Sequence, residues 1–513
     1  MNAHTPTRSS LAWMAVAIAV TLGIQAYLWP HITDDAYITF RYALNLATGQ
    51  GLVFNQGEYV EGFSNPLWTL LLALLHLLTG AEIPDAARVA GLLFAVGTLS
   101  CVFLISLKSA EPPASLPLAL GALLVVLAPG FHVYATAGLE GPMLGFLLTA
   151  GLAASLGSSR SARFSAALLF GLAGITRPEG PLYAVLWFLA TINPALSFPK
   201  LLRMEAGRFL LMITPIVAWQ IFRLTYFGTW LPNTAIAKVP GVFGEFIDFP
   251  EYVTPWIVAA GGPLILFLWM VLPPRSERVQ KIERICLAIA GANLVFVSYA
   301  QGDWMTFGRF ITPVWPVMSL TLALWIAAEL RQLQQSPFVR FRKALPYLPA
   351  AGIVLCAFLA WYPSVKSYVN NEGMNMLMRG TDQLAVGRWI DRNIAPGASV
   401  ATGRLGGISY GAMNQVVWDW FGLTDAEEAA YIRKGRPGKL IDDPVFLRKP
   451  DVIAGVDAPA DWSYKRTTQL MDFLEENYIF VMGFPQGRYG YLDIWIRKNR
   501  IRDVLVTREE FVL

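Results

Sequence analysis

The chain has 513 residues, of which 55% are hydrophobic and only 15% charged, and its formal net charge is +4 at pH 7. Soluble domains carry about 25% charged residues, so this composition excludes an ordinary soluble protein. Long apolar runs between short basic loops are typical of a polytopic membrane protein. The sequence contains no GxxxxGK[ST] loop and no Rossmann fingerprint, so no nucleotide cofactor is expected. No nucleic-acid partner is expected either.

The first apolar run, residues 11–29, resembles a signal peptide, but no small-residue cleavage site follows it. Tyr27, Trp29 and Pro30 close the run as an interfacial aromatic belt does, so we predict that it is retained as the first membrane span. The three cysteines all fall within later apolar runs, with no spacing typical of a disulfide framework or a metal site. They are predicted to be small core residues.

The loop after this span, residues 31–68, concentrates charged side chains among aromatic ones. It begins with the adjacent carboxylates Asp34 and Asp35 and continues with Arg41, Glu58 and Glu61. Carboxylates at a membrane surface cost desolvation energy, which favours a functional role. Two adjacent carboxylates suit general-base work on a hydroxyl group, or the binding of a divalent metal ion. The structural alternative is that the pair only caps a helix running from Ala36, but capping requires one Asp and not the surrounding cluster.

The basic residues determine the predicted topology. Further apolar runs lie near 65–79, 88–107, 115–130, 142–157, 164–177, 181–196, 209–225, 253–272, 285–300, 311–329 and 346–362. If all of them crossed the membrane, the basic loops at 158–163, 197–208, 273–284 and 331–345 would lie outside, against the positive-inside rule. Excluding the short run at 65–79, which contains His76, returns all four loops to the cytoplasm. We therefore predict an α-helical protein of about eleven spans, with a surface helix at 65–79, the N-terminus inside and the tail outside.

The same topology gathers the unusual polar residues in the external loops. These loops are YATAGLEG (134–141), TRPEG (176–180), FGTWLPNTAIAK (227–238) and QGDWMTFGRF (301–310). They contain Glu140, Arg177, Glu179, Asn233, Lys238, Asp303 and Arg309. Taken singly, each residue is explained as a helix cap or as a side chain that snorkels from the end of a span to the membrane surface. Together, carboxylates beside Arg and Lys at membrane level indicate a site for an anionic lipid head group and a hydroxyl nucleophile.

The tail, residues 363–513, has charged and polar residues at ordinary density. Periodicity predicts helices at 379–394 and near 467–476, and strands at 398–403, 414–423, 449–456, 477–484 and 491–498. Alternating elements favour a small external α/β domain. Asp419 and Asp425 are candidates for contact with an acceptor, although an Asp at a loop end more often caps a helix.

The motifs DDAYITFRYALN, GLVFN and VEGFSNPLW, followed by GLEG, TRPEG, LPN and GDWM…GRF, resemble the GT-C superfamily of integral-membrane glycosyltransferases. The similarity is strongest to the arabinofuranosyltransferase-like members, which include the mycobacterial arabinan β-(1→2) enzyme and a pilin-modifying relative. It covers residues 10–362 and extends into the tail. Members of the superfamily have an acidic motif in the first external loop, followed by a surface helix. Many members carry Asp-Glu or Glu-Asp where this chain has Asp34-Asp35. The pair therefore narrows the choice of subgroup but does not identify the sugar that is transferred.

The resemblance implies a GT-C transmembrane catalytic domain at 1–362, with a first external loop at 31–87 that holds juxtamembrane helices, and an external domain at 363–513. It also implies a polyprenyl-phosphate sugar as donor and a glycan, glycolipid or pilin-like acceptor at the external face of a bacterial inner membrane. Asp34 or Asp35 would be the base, with Asp34 preferred. A divalent metal ion could bind the pair, although no residue requires one.

Several other residues are candidates for binding the substrates. Arg177, Lys238 and Arg309 would hold the phosphate, since cations stabilise a departing phosphate anion. The remaining candidates are Arg41, Glu58, Glu61, Asn65, Trp68, Glu140, Glu179, Asn233, Asp303 and Trp304.

Two alternatives remain open, a transporter of a lipid or glycan and a non-catalytic glycan-binding membrane protein. A transporter would place polar groups near the bilayer midplane in paired broken helices, whereas here they cluster at one face. A binding protein would keep the external domain without needing the acidic pair.

Overall fold

The computed structural model describes residues 8–109, 115–193, 195, 197–238, 249–259, 276–303, 305, 307–335, 347–369, 372–435, 442–455, 464–485 and 491–506. These residues fall into two compact units. The first is drawn from Met1–Pro30, Arg88–Trp219 and Phe246–Gly373, and the second from His31–Ala87, Gln220–Glu245 and Met374–Leu513. The first loop belongs to the same unit as most of the tail, and the predicted domain division at residue 363 stays a prediction.

The regular elements described before the sheet are all helices. In chain order the helices are α1 (Arg8–Leu28), α2 (Asp34–Ala47), α3 (Pro66–Thr79), α4 (Ile83–Ser109), α5 (Ser115–Leu127), α6 (Pro129–Ala135), α7 (Gly141–Ser155), α8 (Arg160–Ala173), α9 (Gly180–Thr191), α10 (Phe198–Tyr226), α11 (Asn233–Ala237), α12 (Phe249–Ala259), α13 (Glu277–Ala300), α14 (Trp315–Gln335), α15 (Tyr347–Val369) and α16 (Glu372–Asn393).

Among the described residues, four helices are long and apolar enough to cross a membrane: α1 from Leu11, α4, α10 and α13. Four further apolar helices are shorter: Pro66–Thr79, Gly141–Ser155, Gly180–Thr191 and Trp315–Ala327. The predicted membrane protein is therefore confirmed, while the count of eleven spans stays a prediction. Parts of the predicted span at 253–272 and of the basic loops at 273–284 and 331–345 lie outside the described residues.

The first unit has an aromatic core in which Trp256 of α12 contacts Trp315 of α14 and Trp361 of α15. The Trp256 ring centroid lies 5.0 Å from that of Trp315 and 4.7 Å from that of Trp361, with both pairs edge to face. Trp315 also donates its indole N–H to the carbonyl of Leu124 at 2.9 Å, so this buried indole donor is paired. These contacts hold helices α5, α12, α14 and α15 together.

The helix α3 belongs to the second unit and matches the predicted surface helix in length. Its 14 residues span about 21 Å, less than the roughly 30 Å hydrocarbon core of a bilayer. Trp68 and Leu72 are buried on one face, while Leu74, Leu77 and Leu78 are exposed on the other. A helix with one apolar face packed and one exposed suits an orientation along a membrane surface.

We predict that residues 30–87 lie entirely outside, so cysteines introduced at the exposed positions Gln50 and Glu82, on either side of α3, should both react with an impermeant maleimide. The reaction is measured in intact cells with a permeabilised outer membrane, and the unmodified chain serves as the control for Cys101, Cys286 and Cys356. Labelling of Gln50→Cys alone would mean that α3 crosses the membrane.

The tail forms a mixed five-stranded sheet. Its strands are β1 (Ser399–Thr402), β2 (Val416–Asp419), β3 (Val452–Ala454), β4 (Tyr478–Pro485) and β5 (Tyr491–Arg497), in the order β2-β1-β3-β5-β4. The strand β1 is parallel to β2 and β3, whereas β5 is antiparallel to β3 and β4. The helices of the tail are α17 (Leu405–Gly411), α18 (Ala426–Arg433), α19 (Pro444–Leu447), α20 (Tyr464–Asn477) and α21 (Ile501–Val504).

All five predicted strands and both predicted tail helices are present, which confirms the α/β prediction for the tail. The helix α17 was not predicted. Its seven residues, LGGISYG, include three glycines and show no apolar period, so the segment has the composition of a loop.

Candidate active site

The acidic pair opens the helix α2. The N-cap is Thr33, which has an extended backbone and makes no side-chain capping bond, and Asp34 is the first helical residue. The helix therefore begins two residues before the predicted Ala36. Both carboxylates lie in the first turn, where the helix dipole favours negative charge. Neither Asp is the cap residue, so capping does not explain the pair.

The Asp34 carboxylate is held by the tail. Gly407 donates its backbone N–H to Oδ1 at 2.7 Å, and Gly406 donates to Oδ2 at 3.3 Å. The buried Gln383 side chain also donates to this carboxylate when its amide nitrogen is oriented toward it. These three donors fix the position of Asp34 relative to α16 and α17.

The glycines of α17 permit this approach. A Cβ atom at position 406 would overlap the backbone and side chain of Asp34. A Cβ atom at position 407 would lie 2.5 Å from the carbonyl oxygen of Gly380 in α16. Glycine at these positions therefore brings α17 against α2 and α16, at the distance that the hydrogen bonds to Asp34 require.

The environment of Asp34 changes its acidity. Burial, together with the negative charge of Asp35, raises the pKa of the Asp34 carboxyl to about 6, against the opposing effect of the N–H of Gly407. A carboxyl with this pKa is ionised near neutral pH and accepts a proton more readily than an exposed Asp. Such tuning is typical of general bases.

Arg41 lies in the same unit and is 2% exposed. Its N–H groups donate to the carbonyl oxygens of Phe54, Ser409, Ala412 and Gln415 and to Oδ1 of Asn55. These bonds use all five donors of a guanidinium, so Arg41 joins the first loop to the tail. Burial lowers its pKa to about 10, which still leaves it charged at pH 7. The geometry favours a structural role over the predicted substrate binding.

The other candidates in the first loop also have internal partners. The buried Glu61 forms an ion pair with the half-buried Arg223 of α10, with NH2 of Arg223 3.1 Å from Oε1. Asn65 accepts hydrogen bonds from the hydroxyls of Thr39 and Thr69, both at 3.2 Å. Trp68 is fully buried, whereas Glu58 is exposed and accepts from the amide of Asn55 at 3.0 Å. Arg223 was not predicted as a site residue. A charged residue inside the apolar run 209–225 is nevertheless a signal of a paired or functional side chain.

Asn233 joins α11 to the loop after β2. Its side-chain amide donates to the carbonyl oxygens of Gly422 at 2.7 Å and Leu423 at 3.1 Å. Its backbone N–H donates to the carbonyl of Glu61 at 2.8 Å. Lys238, at the end of the same short helix, is exposed. Asn233 thus has hydrogen-bond partners within the protein, whereas Lys238 is the more accessible of the two, and the substrate contacts of both stay predictions.

In the tail, Asp425 is the N-cap of α18, accepting the backbone N–H groups of Glu427 at 3.1 Å and Glu428 at 3.0 Å. Asp419 is fully buried and accepts the N–H groups of Phe421 at 2.8 Å and Thr424 at 2.9 Å. Asp425 thus has the capping role that its position at a loop end favours, and Asp419 orders the loop after β2.

A second cluster lies in the first unit, where Arg177 forms ion pairs with Glu140 and Glu179. All three side chains are buried. Glu140 and Glu179 occupy the N-cap positions of α7 and α9, and each precedes a Gly-Pro pair that begins the helix. The two helix starts thus present carboxylates in the same way, and both bind the Arg177 guanidinium.

Asp303 and Arg309 form a bidentate ion pair, with Nε to Oδ2 at 2.7 Å and NH2 to Oδ1 at 3.0 Å. The guanidinium carbons of Arg177 and Arg309 lie 5.1 and 5.2 Å from the centroid of the Phe310 ring, so one aromatic ring contacts both cations. The structure therefore brings together five predicted residues, three carboxylates and two guanidiniums, around an unpredicted Phe310. Trp304 lies outside the described residues.

The described residues contain no group of three or more His, Cys, Asp or Glu side chains arranged to hold a metal ion. The divalent metal considered for the acidic pair therefore has no preformed cage in the part of the chain that the structure covers.

Comparison with known proteins gives the family context. A domain of unknown function (DUF8728) matches residues 374–500. A terminal β-(1→2)-arabinofuranosyltransferase of Mycobacterium tuberculosis is 31% identical over 243 residues, which cover 44% of this chain and 38% of that protein. The enzyme of the same description from Corynebacterium glutamicum is 28% identical over 345 residues, covering 58% of this chain and 49% of that protein. The matches thus span less than half of each relative.

The fold comparison extends over nearly the whole chain. The crystal structure of ArnT from Cupriavidus metallidurans bound to undecaprenyl phosphate superposes with a TM-score of 0.57 at 13% identity, covering 94% of this chain and 98% of that one. The chain has the GT-C fold. The predicted resemblance and fold class are confirmed, and the similarity to arabinofuranosyltransferases agrees with the first-loop motif. The roles of the individual GT-C site residues stay predictions.

Proposed function

We propose that this GT-C protein is a glycosyltransferase that moves a sugar, with arabinofuranose as the candidate, from a polyprenyl-phosphate donor to a glycan, glycolipid or pilin-like acceptor. The reaction would take place at the external face of a bacterial inner membrane, with the N-terminus in the cytoplasm and the tail in the periplasm. Two curated relatives described as arabinofuranosyltransferases support the reaction type, and undecaprenyl phosphate in the ArnT structure supports the donor class.

The observation that carries the proposal is the acidic pair at the start of α2, with Asp34 held by the tail and its pKa raised to about 6. In the proposed reaction, the carboxylate takes the proton of an acceptor hydroxyl, whose oxygen forms a bond to the anomeric carbon. The bond from that carbon to the phosphate oxygen breaks, and the polyprenyl phosphate leaves as an anion. The backbone donors of Gly406 and Gly407 fix the position of Asp34, as a general base requires.

Phosphate binding is assigned to the cluster of the first unit. Arg177 directs two of its N–H groups to carboxylates, and a guanidinium has five such donors. Glu140, Glu179 and Asp303 would hold the two arginines in place and could accept hydrogen bonds from sugar hydroxyls. Lys238 supplies an exposed cation in the external segment at 227–238.

The function is tested by transfer of a radiolabelled sugar from a polyprenyl-phosphate donor in membranes with and without this protein. Label should enter an acceptor only when the protein is present. Movement of the labelled lipid across the membrane without transfer would support a transporter, and retention of labelled glycan without new linkage would support a binding protein. Either result would contradict the proposal.

We expect Arg177→Lys and Arg309→Lys to weaken binding of polyprenyl phosphate about tenfold, because Lys keeps the charge and the ion pair but loses the planar fork that grips phosphate. Lysine is preferable to Ala here, since removing one partner of a buried ion pair strongly destabilises the fold. The measurement is lipid-phosphate affinity in detergent.

Two controls accompany that measurement. Asp34→Asn should leave the affinity for polyprenyl phosphate unchanged, because it alters the base and not the phosphate site. Arg203→Gln, an exposed Arg of α10, should also have no effect. Unchanged affinity in both Lys variants would move the phosphate site away from this cluster, with Lys238 as the next cation to test.

A further inference from the structure

A polar cavity of ≈ 390 Å³ lies in the first unit, where the end of α7 and of α9 meets the start of α8, α10 and α13. The ionisable or hydroxyl-bearing side chains that line it include Arg163, Thr191, Lys200, Glu205, Arg208 and Lys281. None of these residues belongs to the clusters around Asp34 or Arg177. The predicted topology places this end of the helices at the cytoplasmic face.

The cavity is cationic. Four basic side chains line it, against the single carboxylate of Glu205. Glu205 is buried and forms ion pairs with Arg163, at 2.6 Å, and with Arg208. This leaves an excess of positive charge in a partly desolvated space, where an anion would be bound more strongly than in water.

Arg208 provides a second, independent indication of a ligand. The residue is 4% exposed, and its guanidinium carbon lies 5.1 Å from the centroid of the Trp187 ring. The NH2 group donates to the hydroxyl of Thr191 at 2.8 Å, and NH1 donates to Glu205. The buried Nε has no acceptor among the residues that the structure describes. A buried donor without an acceptor is costly, and an anion in the cavity would satisfy it.

Lys281 is held at the same cavity by a hydrogen bond of 2.6 Å from Nζ to the carbonyl of Ser155, at the end of α7. An ammonium group has three donors, so this bond positions the cation without using all of its capacity. Lys200, on the first turn of α10, is exposed and extends the positive charge to the surface. The cations thus run from the buried Arg208 to the outside of the protein.

We propose that this cavity binds the phosphate head group of an anionic phospholipid of the cytoplasmic leaflet. The same helix end exposes large apolar side chains beside the cavity: Phe198 is 74%, Leu202 57% and Met204 47% exposed. Apolar surface next to a cationic cavity matches a ligand with acyl chains better than a free anion. The bound lipid would fix helices α7 to α10 and α13 against one another at this face.

The proposal is tested on the full-length protein in detergent by native mass spectrometry with phosphatidylglycerol, phosphatidylcholine and inorganic phosphate. Phosphatidylglycerol should bind at least tenfold more tightly than zwitterionic phosphatidylcholine. Lys281→Gln should weaken phosphatidylglycerol binding about tenfold, the effect of one hydrogen bond to a charged group. Lys281→Arg should restore binding. Arg203→Gln, on the same helix end but outside the cavity lining, should leave it unchanged.

Arg208→Gln is expected to abolish phosphatidylglycerol binding, but it also breaks the pair with Glu205 and could lower folding yield. Lys281→Gln leaves that pair intact, so this variant tests the proposed lipid site even if Arg208→Gln does not fold. Equal binding of the two lipids, or unchanged phosphatidylglycerol binding in Lys281→Gln, would overturn the proposal. Displacement of the lipid by inorganic phosphate at the same concentration would also overturn it, because the ligand would then be a soluble anion.

Discussion

Replacement of Asp34 by Asn is expected to lower turnover by about 10²–10⁴-fold, the usual effect of removing a general base. Asn keeps the shape of the side chain but carries no negative charge and cannot take the proton of the acceptor hydroxyl. The variant should remain folded and in the membrane, because the carboxamide oxygen can still accept the N–H of Gly407. Turnover is measured as transfer from the polyprenyl-phosphate sugar, and folding by the thermal unfolding midpoint in detergent.

Asp35→Asn and the double variant identify which carboxylate is the base. If Asp34 is the base, Asp35→Asn should cost less than Asp34→Asn, and the double variant should be little worse than Asp34→Asn alone. Glu427→Gln, an exposed carboxylate of α18, is the matched control and should behave as the unmodified protein. Near-normal transfer by both single variants and the double variant would rule out a catalytic role for the pair.

Gly406→Ala is expected to destabilise the protein by about 1–3 kcal/mol, the usual cost of overpacking a closely packed site, and to reduce turnover strongly. The new methyl group would overlap Asp34, so α17 must move away from α2. The hydrogen bonds from Gly406 and Gly407 to the carboxylate would then lengthen or break. Thermal unfolding and sugar transfer report the two effects separately.

Gly291→Ala is the matched control for this substitution. Gly291 lies within α13, and a Cβ atom there meets no other atom within 4 Å. Alanine is a better helix former than glycine, so this variant should be as stable as the original protein or slightly more stable. If Gly406→Ala also showed the original stability and turnover, the tail would not be what positions Asp34.

The sequence alone determined the local elements. The apolar runs predicted a membrane protein, and the period of the tail predicted the strands β1 to β5 and the helices α16 and α20. Hydropathy and periodicity are local properties that an element carries in its own residues. The short helix α17 was missed for the same reason, because its stability comes from packing against α2 and α16 and not from its own composition.

Only the tertiary structure decided the partners of the polar residues. Asp34 and Gly406 are 372 residues apart, and Arg41 and Gln415 are 374 apart, yet each pair is joined by a hydrogen bond. The sequence showed that Arg41 and Arg177 were unusual charges at a membrane surface, but a charge alone does not show what neutralises it. Arg41 proved to be bound by backbone carbonyls and Arg177 by two carboxylates. Such pairings depend on which distant segments the fold brings within a few ångströms, and no local pattern records that.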